Sequence, residues 1–202
     1  MTTRKCINNR NIVALIREEN VEFYQKYVLD HQIRTAELCK KTAEAFSLDE
    51  DERKILIQVA LLHDVGKLLI PFKILSKDTS LSPYERRIIQ LHPLKGAEWL
   101  RKRDFPKEIA TVVETHHERV DGLGYPYALK GNGIPFLARV LSVCDAFEVM
   151  TSGRHYKAPK SVSEAVDELK REAGKHFDEV VVITFTDMWY NEDIKEKKKV
   201  VV

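Results

Sequence analysis

The placement of the histidines constrains the fold of this chain more than any other feature. Of the seven histidines in 202 residues, two are adjacent in HHERVDGLGYP at 116–126, and another precedes an aspartate in LLHDVGK at 61–67. A single buried histidine is usually satisfied by ordinary core contacts. Adjacent imidazole and carboxylate groups beside a glycine-rich turn are harder to explain in that way. The pattern predicts a fold that brings distant segments together around a polynuclear metal site of a phosphohydrolase.

Apolar residues recur at helical spacing along most of the chain, which predicts an all-α domain, a helical bundle with the metal site in its centre. Ile55, Val59 and Leu62 share one helical face, and His63 follows Val59 by four residues, so it points the same way. Helices are predicted over about 21–46, from Ser82 with a restart at Pro93, over 106–117, from Pro135, over 161–173 and over 178–190. Helix starts are indicated by three capping-box matches, at Ser47–Glu50, Ser82–Glu85 and Ser161–Glu164.

Composition argues against several classes of protein. The 33 basic and 31 acidic residues nearly balance, so the chain lacks the electrostatic footprint of a protein that binds duplex nucleic acid. Its longest apolar runs, such as VVVITF at 180–185, are too short to span a bilayer, and the polar N-terminus does not resemble a signal peptide. The three cysteines are far apart in the sequence, which predicts neither a disulfide framework nor a zinc knuckle. We therefore expect a cytoplasmic protein without nucleic-acid or membrane partners.

Asp145 lies in LSVCDAFEV, among residues that belong in a core. A buried carboxylate needs a cation or strong hydrogen bonds, so Asp145 is a metal ligand, a helix cap or the partner of an arginine. Imidazole and carboxylate ligands without thiolate suit iron, manganese or nickel, and zinc is less diagnostic. Five histidines and two aspartates are too many for one four-coordinate ion and fit two ions with one bridging carboxylate. The helix that carries His63 is expected to continue to Lys67, three residues after Asp64, and Lys67 is expected either to face a phosphate or to act as a helix-end cation after Gly66.

An ordered series of motifs makes the chain recognisable over about residues 25–185. The motifs are HDVGK followed by LLIPFKIL, the HP pair at 92–93, HHERVDGLGYP, IPFLARVLSVCDAF and TSGRHYK. In this series the chain resembles the HD-GYP family, a branch of the HD superfamily of metal-dependent phosphohydrolases. The resemblance implies the helical HD-domain fold.

The resemblance also implies a role for each residue that matches a motif. It implies metal ligation by His31, His63, Asp64, His92, His116, His117 and Asp145. Asp64 would bridge the two metals, and Asp64 and Lys67 would be the catalytic residues. Substrate phosphates would be held by Lys67, Arg154 and Lys157. The signature tripeptide Gly124, Tyr125 and Pro126 looks like a substrate-loop and partner-contact element.

The function implied by the resemblance belongs to bacterial second-messenger signalling. The family hydrolyses cyclic di-GMP to linear pGpG and often onward to GMP. We expect two divalent transition-metal ions as cofactors, with iron or manganese preferred over nickel or zinc. One alternative is a catalytically weak adaptor that docks diguanylate cyclase domains through Gly124–Pro126, and another is a phosphodiesterase for a different cyclic dinucleotide. The intact ligand set favours catalysis, because an adaptor has no need of every ligand. A homodimer is left open.

The chain departs from the family pattern at two positions. Tyr27 stands where some members place a third-metal glutamate, which favours two metals. Val120 stands where a tryptophan often follows HHER, which removes an aromatic surface from the substrate loop. The predicted organisation is an N-terminal extension at 1–20 that forms one short helix, the phosphohydrolase domain at 21–190 and a charged tail at 191–202. The usual sensory domain is missing from this chain. We therefore expect that the protein is regulated by a partner or by the extension, or that it is not regulated at all.

Overall fold

The computed structural model describes residues 28–153 and 158–200, with side chains as far as residue 190. In these ranges the backbone forms helices without β-strands, and an isolated bridge joins Ala173 and Phe177, so the all-α prediction is confirmed. Tyr27, the extension at 1–20, Arg154 and Lys157 lie outside the described residues. The helices are α1 (Asp30–Ala45), α2 (Glu50–Ala60), α3 (Phe72–Leu75), α4 (Pro83–Ile89), α5 (His92–Arg101), α6 (Lys107–Thr115), α7 (Phe136–Ser152), α8 (Val162–Arg171) and α9 (Glu179–Val200), with 3-10 turns at Val65–Leu69 and Gly131–Gly133.

Side-chain capping marks the starts of α2, α4 and α8. The capping boxes at Ser82 and Ser161 are confirmed, since each serine accepts from the amide three residues later and the glutamate there bonds back. The box predicted at Ser47 is wrong, because Asp49 caps α2 instead, with Glu52 as its partner. Ser47 belongs to the end of α1: its φ is 51°, its amide donates to the Glu44 carbonyl, and the next amide bonds five residues back. That arrangement is a Schellman C-terminus, which leaves Ser47 unable to begin the next helix.

The core is built around α7, which is apolar on most of its faces. Leu141 and Phe147 of α7 are buried against other helices, together with Leu56 of α2, Ile109 of α6 and Phe185 of α9. Helix α1 packs on α2 and α7, while α5 packs on α6 and on the first 3-10 turn. Asp145 therefore lies on the element that most of the fold surrounds, as its sequence context predicts.

The HD doublet lies in a turn and not in a helix. The predicted helix through His63 to Lys67 is wrong, because α2 ends at Ala60 and a 3-10 turn begins at Val65. The turn packs closely on α5, since a Cβ added at Gly66 would lie 1.9 Å from the carbonyl oxygen of His92. Only glycine allows this close approach, which places the doublet beside the first residue of α5.

Over the described residues the remaining helix predictions agree with the structure except at the C-terminus, and residues 21–27 of the first predicted helix lie outside those residues. The restart at Pro93 is confirmed, since α4 ends at Ile89 and α5 begins at His92. Helix α9 extends to Val200, beyond the predicted end at 190 and through most of the segment predicted as a tail. No helix in the described ranges has the length and apolar character that crossing a membrane requires.

Candidate metal centre

Two groups of three potential metal ligands adjoin each other inside the bundle. His92, His116 and His117 form the first group, and His31, His63 and Asp145 form the second. Within each group the nearest ligand atoms all lie within 4.8 Å of one another. Among the described residues, these are the clusters of histidine, cysteine and acidic side chains that could hold an ion. The structure thus brings six of the seven sequence-predicted ligands into two groups.

The ligands converge because most of them lie at helix ends. His31 is in the first turn of α1, His63 and Asp64 follow the end of α2, and His92 begins α5. His116 and His117 directly follow α6, while Asp145 lies in the middle of α7. Residues just past a helix end can turn toward a common centre without interrupting the regular helix that positions them.

Backbone carbonyls fix the orientation of three imidazole rings. The Nδ1 atoms of His63, His92 and His116 lie 2.8, 2.9 and 2.6 Å from the carbonyl oxygen three residues earlier in the chain. A carbonyl oxygen only accepts, so each Nδ1 carries the proton and donates it. The lone pair is therefore on Nε2, which points into the centre and is the atom available to a metal.

The distance between His92 and His116 indicates that these rings are arranged for a cation. Their Nε2 atoms lie 3.4 Å apart. Because both Nδ1 atoms donate to carbonyls, the neutral rings present two lone pairs to each other and cannot form a hydrogen bond between them. A positive ion bound by both nitrogens removes this repulsion, so these side chains fit a bound metal.

Asp64 lies between the two groups and faces both. Its Oδ1 is 3.3 Å from Nε2 of His92, and its Oδ2 is 3.5 Å from Nε2 of His63. Within the described part of the chain, Oδ1 is buried and has no hydrogen-bond partner. Burial favours the protonated acid, but the positive charge of Lys67 is the largest of the effects that outweigh it, and the pKa of Asp64 lies well below its usual range. An anionic carboxylate with one oxygen toward each group fits the predicted bridging role.

His116, His117 and Asp145 have protonation states that suit metal binding, whereas His31 is protonated near pH 7 and would lose a proton on binding a metal. Burial lowers the pKa of His116 to about 3 and that of His117 well below its usual range, so both imidazoles are neutral near pH 7. Burial raises the pKa of Asp145, but its contacts with His31 and His63 outweigh burial and lower the pKa overall. For His31 the burial effect is overcome by Asp145 and Glu148, which raise the pKa to about 9.

Lys67 lies at the edge of the centre rather than on a helix face. Its Nζ donates to Oδ2 of Asp64 at 2.5 Å, and its side chain remains 22% exposed. A cation in this place can neutralise the bridging carboxylate and also reach a ligand that enters from solvent. Its contact with a substrate phosphate stays a prediction.

The signature loop packs on the segment that carries the histidine pair. A Cβ added at Gly124 would lie 2.4 Å from the amide nitrogen of Arg119, so the close packing requires glycine. The Tyr125 amide donates to the His117 carbonyl at 3.2 Å, and the two rings face each other with centroids 4.9 Å apart. The peptide bond before Pro126 is cis. This glycine thus serves the chain's own packing, and contact of the loop with substrate stays a prediction.

Two buried glutamates near the centre were missed by the sequence analysis. Glu118 accepts from the amides of Tyr127 at 2.7 Å and Leu129 at 2.9 Å, which ties the signature loop to the segment after α6. Glu148 contacts Nδ1 of His31 from one turn beyond Asp145 on α7. The adjacency of Glu118 to the histidine pair and the three-residue spacing of Glu148 from Asp145 were the available signals.

An all-helical bundle with two adjoining histidine and aspartate groups defines the class of metal-binding HD folds, and comparison with known proteins agrees. The model of the family described as "HD domain" matches residues 12–181. The chain belongs to the HD domain family, in its HD-GYP branch.

Named relatives and solved structures are similar over most of this chain. The chain is 35% identical over 161 residues to 3'3'-cGAMP-specific phosphodiesterase 2 of Vibrio cholerae, covering 79% of this chain and 31% of that protein. It is 37% identical over 157 residues to a cyclic di-GMP phosphodiesterase of Thermotoga maritima, covering 77% of this chain and 43% of that protein. An HDG"Y"P protein from Bdellovibrio bacteriovorus shares the fold, with a TM-score of 0.66 at 23% identity over 91% of this chain and 58% of that one. The chain thus spans less than half the length of these two named phosphodiesterases.

Proposed function

We propose that this chain is a metal-dependent phosphodiesterase that hydrolyses a cyclic dinucleotide. The observation that carries the proposal is the buried carboxylate of Asp64, whose two oxygens face two separate groups of ligand atoms. A single-ion structural site does not need a shared carboxylate of this kind. The names of the relatives from Vibrio cholerae and Thermotoga maritima, both cyclic dinucleotide phosphodiesterases, supply the substrate class.

Two divalent transition-metal ions, iron or manganese in the first instance, would complete the centre. One would be held by the group of His92, His116 and His117, the other by the group of His31, His63 and Asp145, with Asp64 shared. When bound, such a pair polarises a phosphodiester and activates water for in-line displacement. The imidazoles contribute as neutral donors because burial lowers the pKa of His116 and His117.

Fixed cations of the chain would bind and orient the substrate phosphates. Lys67 already lies beside Asp64, at the solvent edge of the centre. Arg154 and Lys157 follow α7, the helix that carries Asp145, and we assign them to the phosphates by their match to the TSGRHYK motif. Charged donors are the strongest hydrogen-bonding partners of phosphate oxygens, which favours this division of roles.

Cyclic di-GMP is the substrate that we propose as preferred, with pGpG as the product and GMP as the product of further hydrolysis. The two relatives differ on this point, because one is named for 3'3'-cGAMP and the other for cyclic di-GMP. Both substrates present the same pair of phosphodiesters in a cyclic backbone. The metal centre therefore supports the substrate class, and base contacts would decide the preference.

A second candidate function, docking of a diguanylate cyclase domain, is favoured by the surface of the signature loop. Leu123 is 78% exposed and Tyr127 is 53% exposed, on either side of the Gly124–Pro126 tripeptide. These two side chains would give a partner domain apolar surface directly beside the tripeptide that the family resemblance assigns to partner contact. Docking would be compatible with catalysis, since these side chains are distinct from the predicted ligands.

The proposed function can be tested with a panel of substrates. The full chain is purified without oxygen, loaded with Mn²⁺ or Fe²⁺, and incubated with cyclic di-GMP, 3'3'-cGAMP and cyclic di-AMP, and the products are followed by chromatography. We expect a linear dinucleotide from at least one of them and none from the Asp64→Ala variant. A metal-loaded protein that hydrolyses none of the three would contradict the proposal.

A further inference from the structure

Glu148 is a buried carboxylate that the sequence motifs do not assign to the centre. It lies on α7, three residues after Asp145, and its side chain is 4% exposed. Its Oε2 contacts Nδ1 of His31. Its Oε1 accepts from Arg34 Nε at 2.5 Å and from Ser152 Oγ at 2.7 Å. Both oxygens of the carboxylate are thus engaged, and one of them contacts a predicted metal ligand.

The partner of His31 differs in kind from the partners of the other fixed histidines. His63, His92 and His116 each direct Nδ1 to a neutral backbone carbonyl. Of these four rings, His31 is the one that directs Nδ1 to a carboxylate. A negatively charged partner makes the opposite ring nitrogen a stronger donor to a metal and fixes the ring more firmly than a carbonyl does.

We propose, on the basis of the function proposed above, that Glu148 is a positioning residue for the metal held by His31, His63 and Asp145. Nε2 of His31 lies 3.0 Å from Oδ1 of Asp145 and 3.2 Å from Nε2 of His63, so it is directed into this group. Glu148 contacts the other nitrogen of the same ring. It therefore acts through His31 and is not itself a ligand of that ion.

A purely structural role is the alternative, because Glu148 also joins α7 to α1 through Arg34. The chain offers a control for this role: the Arg34 side chain is 51% exposed, and its loss removes the ion pair while leaving the contact between Glu148 and His31. Partly exposed ion pairs contribute little to stability, so Arg34→Gln should fold normally. Glu148→Gln keeps the size of the side chain and removes its charge.

The test compares Glu148→Gln, Arg34→Gln and the unaltered full chain. Mn²⁺ affinity is measured from the electron paramagnetic resonance signal of free Mn²⁺ during titration, and stability from urea unfolding of the metal-free proteins in EDTA. We expect Glu148→Gln to weaken one of two Mn²⁺ sites by about 10- to 100-fold, the usual effect of losing such a partner. We expect Arg34→Gln to keep the affinity of the unaltered chain.

A spectroscopic measurement separates positioning from general loosening of the bundle. The visible absorption of Co²⁺ depends on the geometry of its ligands, so Glu148→Gln should change the spectrum of the Co²⁺-loaded protein and Arg34→Gln should not. If the two variants weaken Mn²⁺ binding equally, or if Glu148→Gln binds like the unaltered chain, the positioning role is overturned and the proposed function is unaffected. An unaltered chain that binds no metal would overturn both.

Discussion

At the scale of single residues, the chemistry of the centre depends on which atom each side chain directs inward. The carbonyls behind His63, His92 and His116 leave Nε2 free on each ring. The carboxylate of Asp64 is held as an anion although it is buried, because the positive charge of Lys67 contributes most to holding its pKa well below the usual range. A residue that keeps its charge in the interior needs compensation, and the proposed pair of metal ions would supply it.

Replacing Asp64 by Ala should abolish turnover while leaving the helical domain folded. The change removes the carboxylate that faces both ligand groups and the negative charge that would hold two cations together. We expect kcat to fall by at least about a hundredfold, the scale of losing one essential electrostatic group, and metal content to fall below two ions per chain. Circular dichroism serves as the control for folding. Near-native activity of Asp64→Ala would show that the centre has been assigned to the wrong residues.

Arg154→Ala and Lys157→Ala should mainly raise KM. These residues are predicted to hold substrate phosphates, and a hydrogen bond to a charged group contributes about 1.5–3 kcal/mol, so an increase in KM of about tenfold or more is expected. Steady-state kinetics on cyclic di-GMP and elemental analysis of the same preparations provide the measurement. Metal content should remain that of the unaltered chain. Loss of metal in either variant would contradict the division between metal ligands and phosphate ligands.

At the scale of helices and turns, the centre depends on where helices end. Periodicity predicts the helices themselves well, and the restart at Pro93 places His92 correctly at the beginning of α5. Periodicity wrongly extends the helix through His63, whereas α2 ends at Ala60 and the following turn makes a close contact between Gly66 and α5. Such a contact joins residues that are distant in sequence and is therefore not visible in a local pattern.

The residues missed by the sequence analysis share the same explanation. Glu148 lies 117 residues from His31, and Glu118 bonds to amides nine and eleven residues further along the chain. Glutamate at these positions is as compatible with an exposed helix face as with a buried network. The predicted ligands, in contrast, are recognisable because adjacent histidine and aspartate residues are unusual in a core. Motifs therefore indicate the centre, and only the fold shows what supports it.

Gly66→Ala should destabilise the contact between the first 3-10 turn and α5. The added methyl would lie 1.9 Å from the His92 carbonyl, and overpacking of this kind costs about 1–3 kcal/mol. The free energy of unfolding is obtained from urea titration of the metal-free protein. Gly133→Ala is the matched control, since no atom of the described chain lies within 4 Å of a Cβ added there. Equal stability of the two variants would mean that the close approach at Gly66 is not needed.

At the scale of the whole molecule, the bundle holds charged and polar groups together that would otherwise separate. Facing imidazole lone pairs and buried aspartates oppose folding unless a cation is present. Bound metal should therefore stabilise the protein, by about 2.7 kcal/mol at a free ion concentration one hundred times the Kd. We expect thermal unfolding at a higher temperature with Mn²⁺ than with EDTA. The Asp64→Ala variant is the control, and Mn²⁺ should raise its unfolding temperature much less. If Mn²⁺ does not change the unfolding temperature of the unaltered chain, the metal centre is contradicted.

Substrate selectivity should also depend on the fold, because the signature loop packs on the segment that carries the histidine pair. Gly124 packs against the backbone of Arg119, and Tyr125 faces His117, so the signature loop and the ligand segment form one unit. Val120 is partly buried against the core, which leaves no aromatic side chain at that position to stack on a base. Shape and phosphate contacts should consequently contribute most of the selectivity for a cyclic dinucleotide.

Measured kcat/KM for cyclic di-GMP should exceed the values for mononucleotides and for a generic aryl phosphodiester by at least about tenfold. This ratio corresponds to roughly 1.4 kcal/mol of discrimination between transition states, and a cyclic substrate has two phosphates for Lys67, Arg154 and Lys157 to bind, whereas the aryl diester has one. The aryl diester therefore serves as the control for metal chemistry alone. Equal efficiency on both would leave the metal centre in place and remove the assignment to second-messenger signalling.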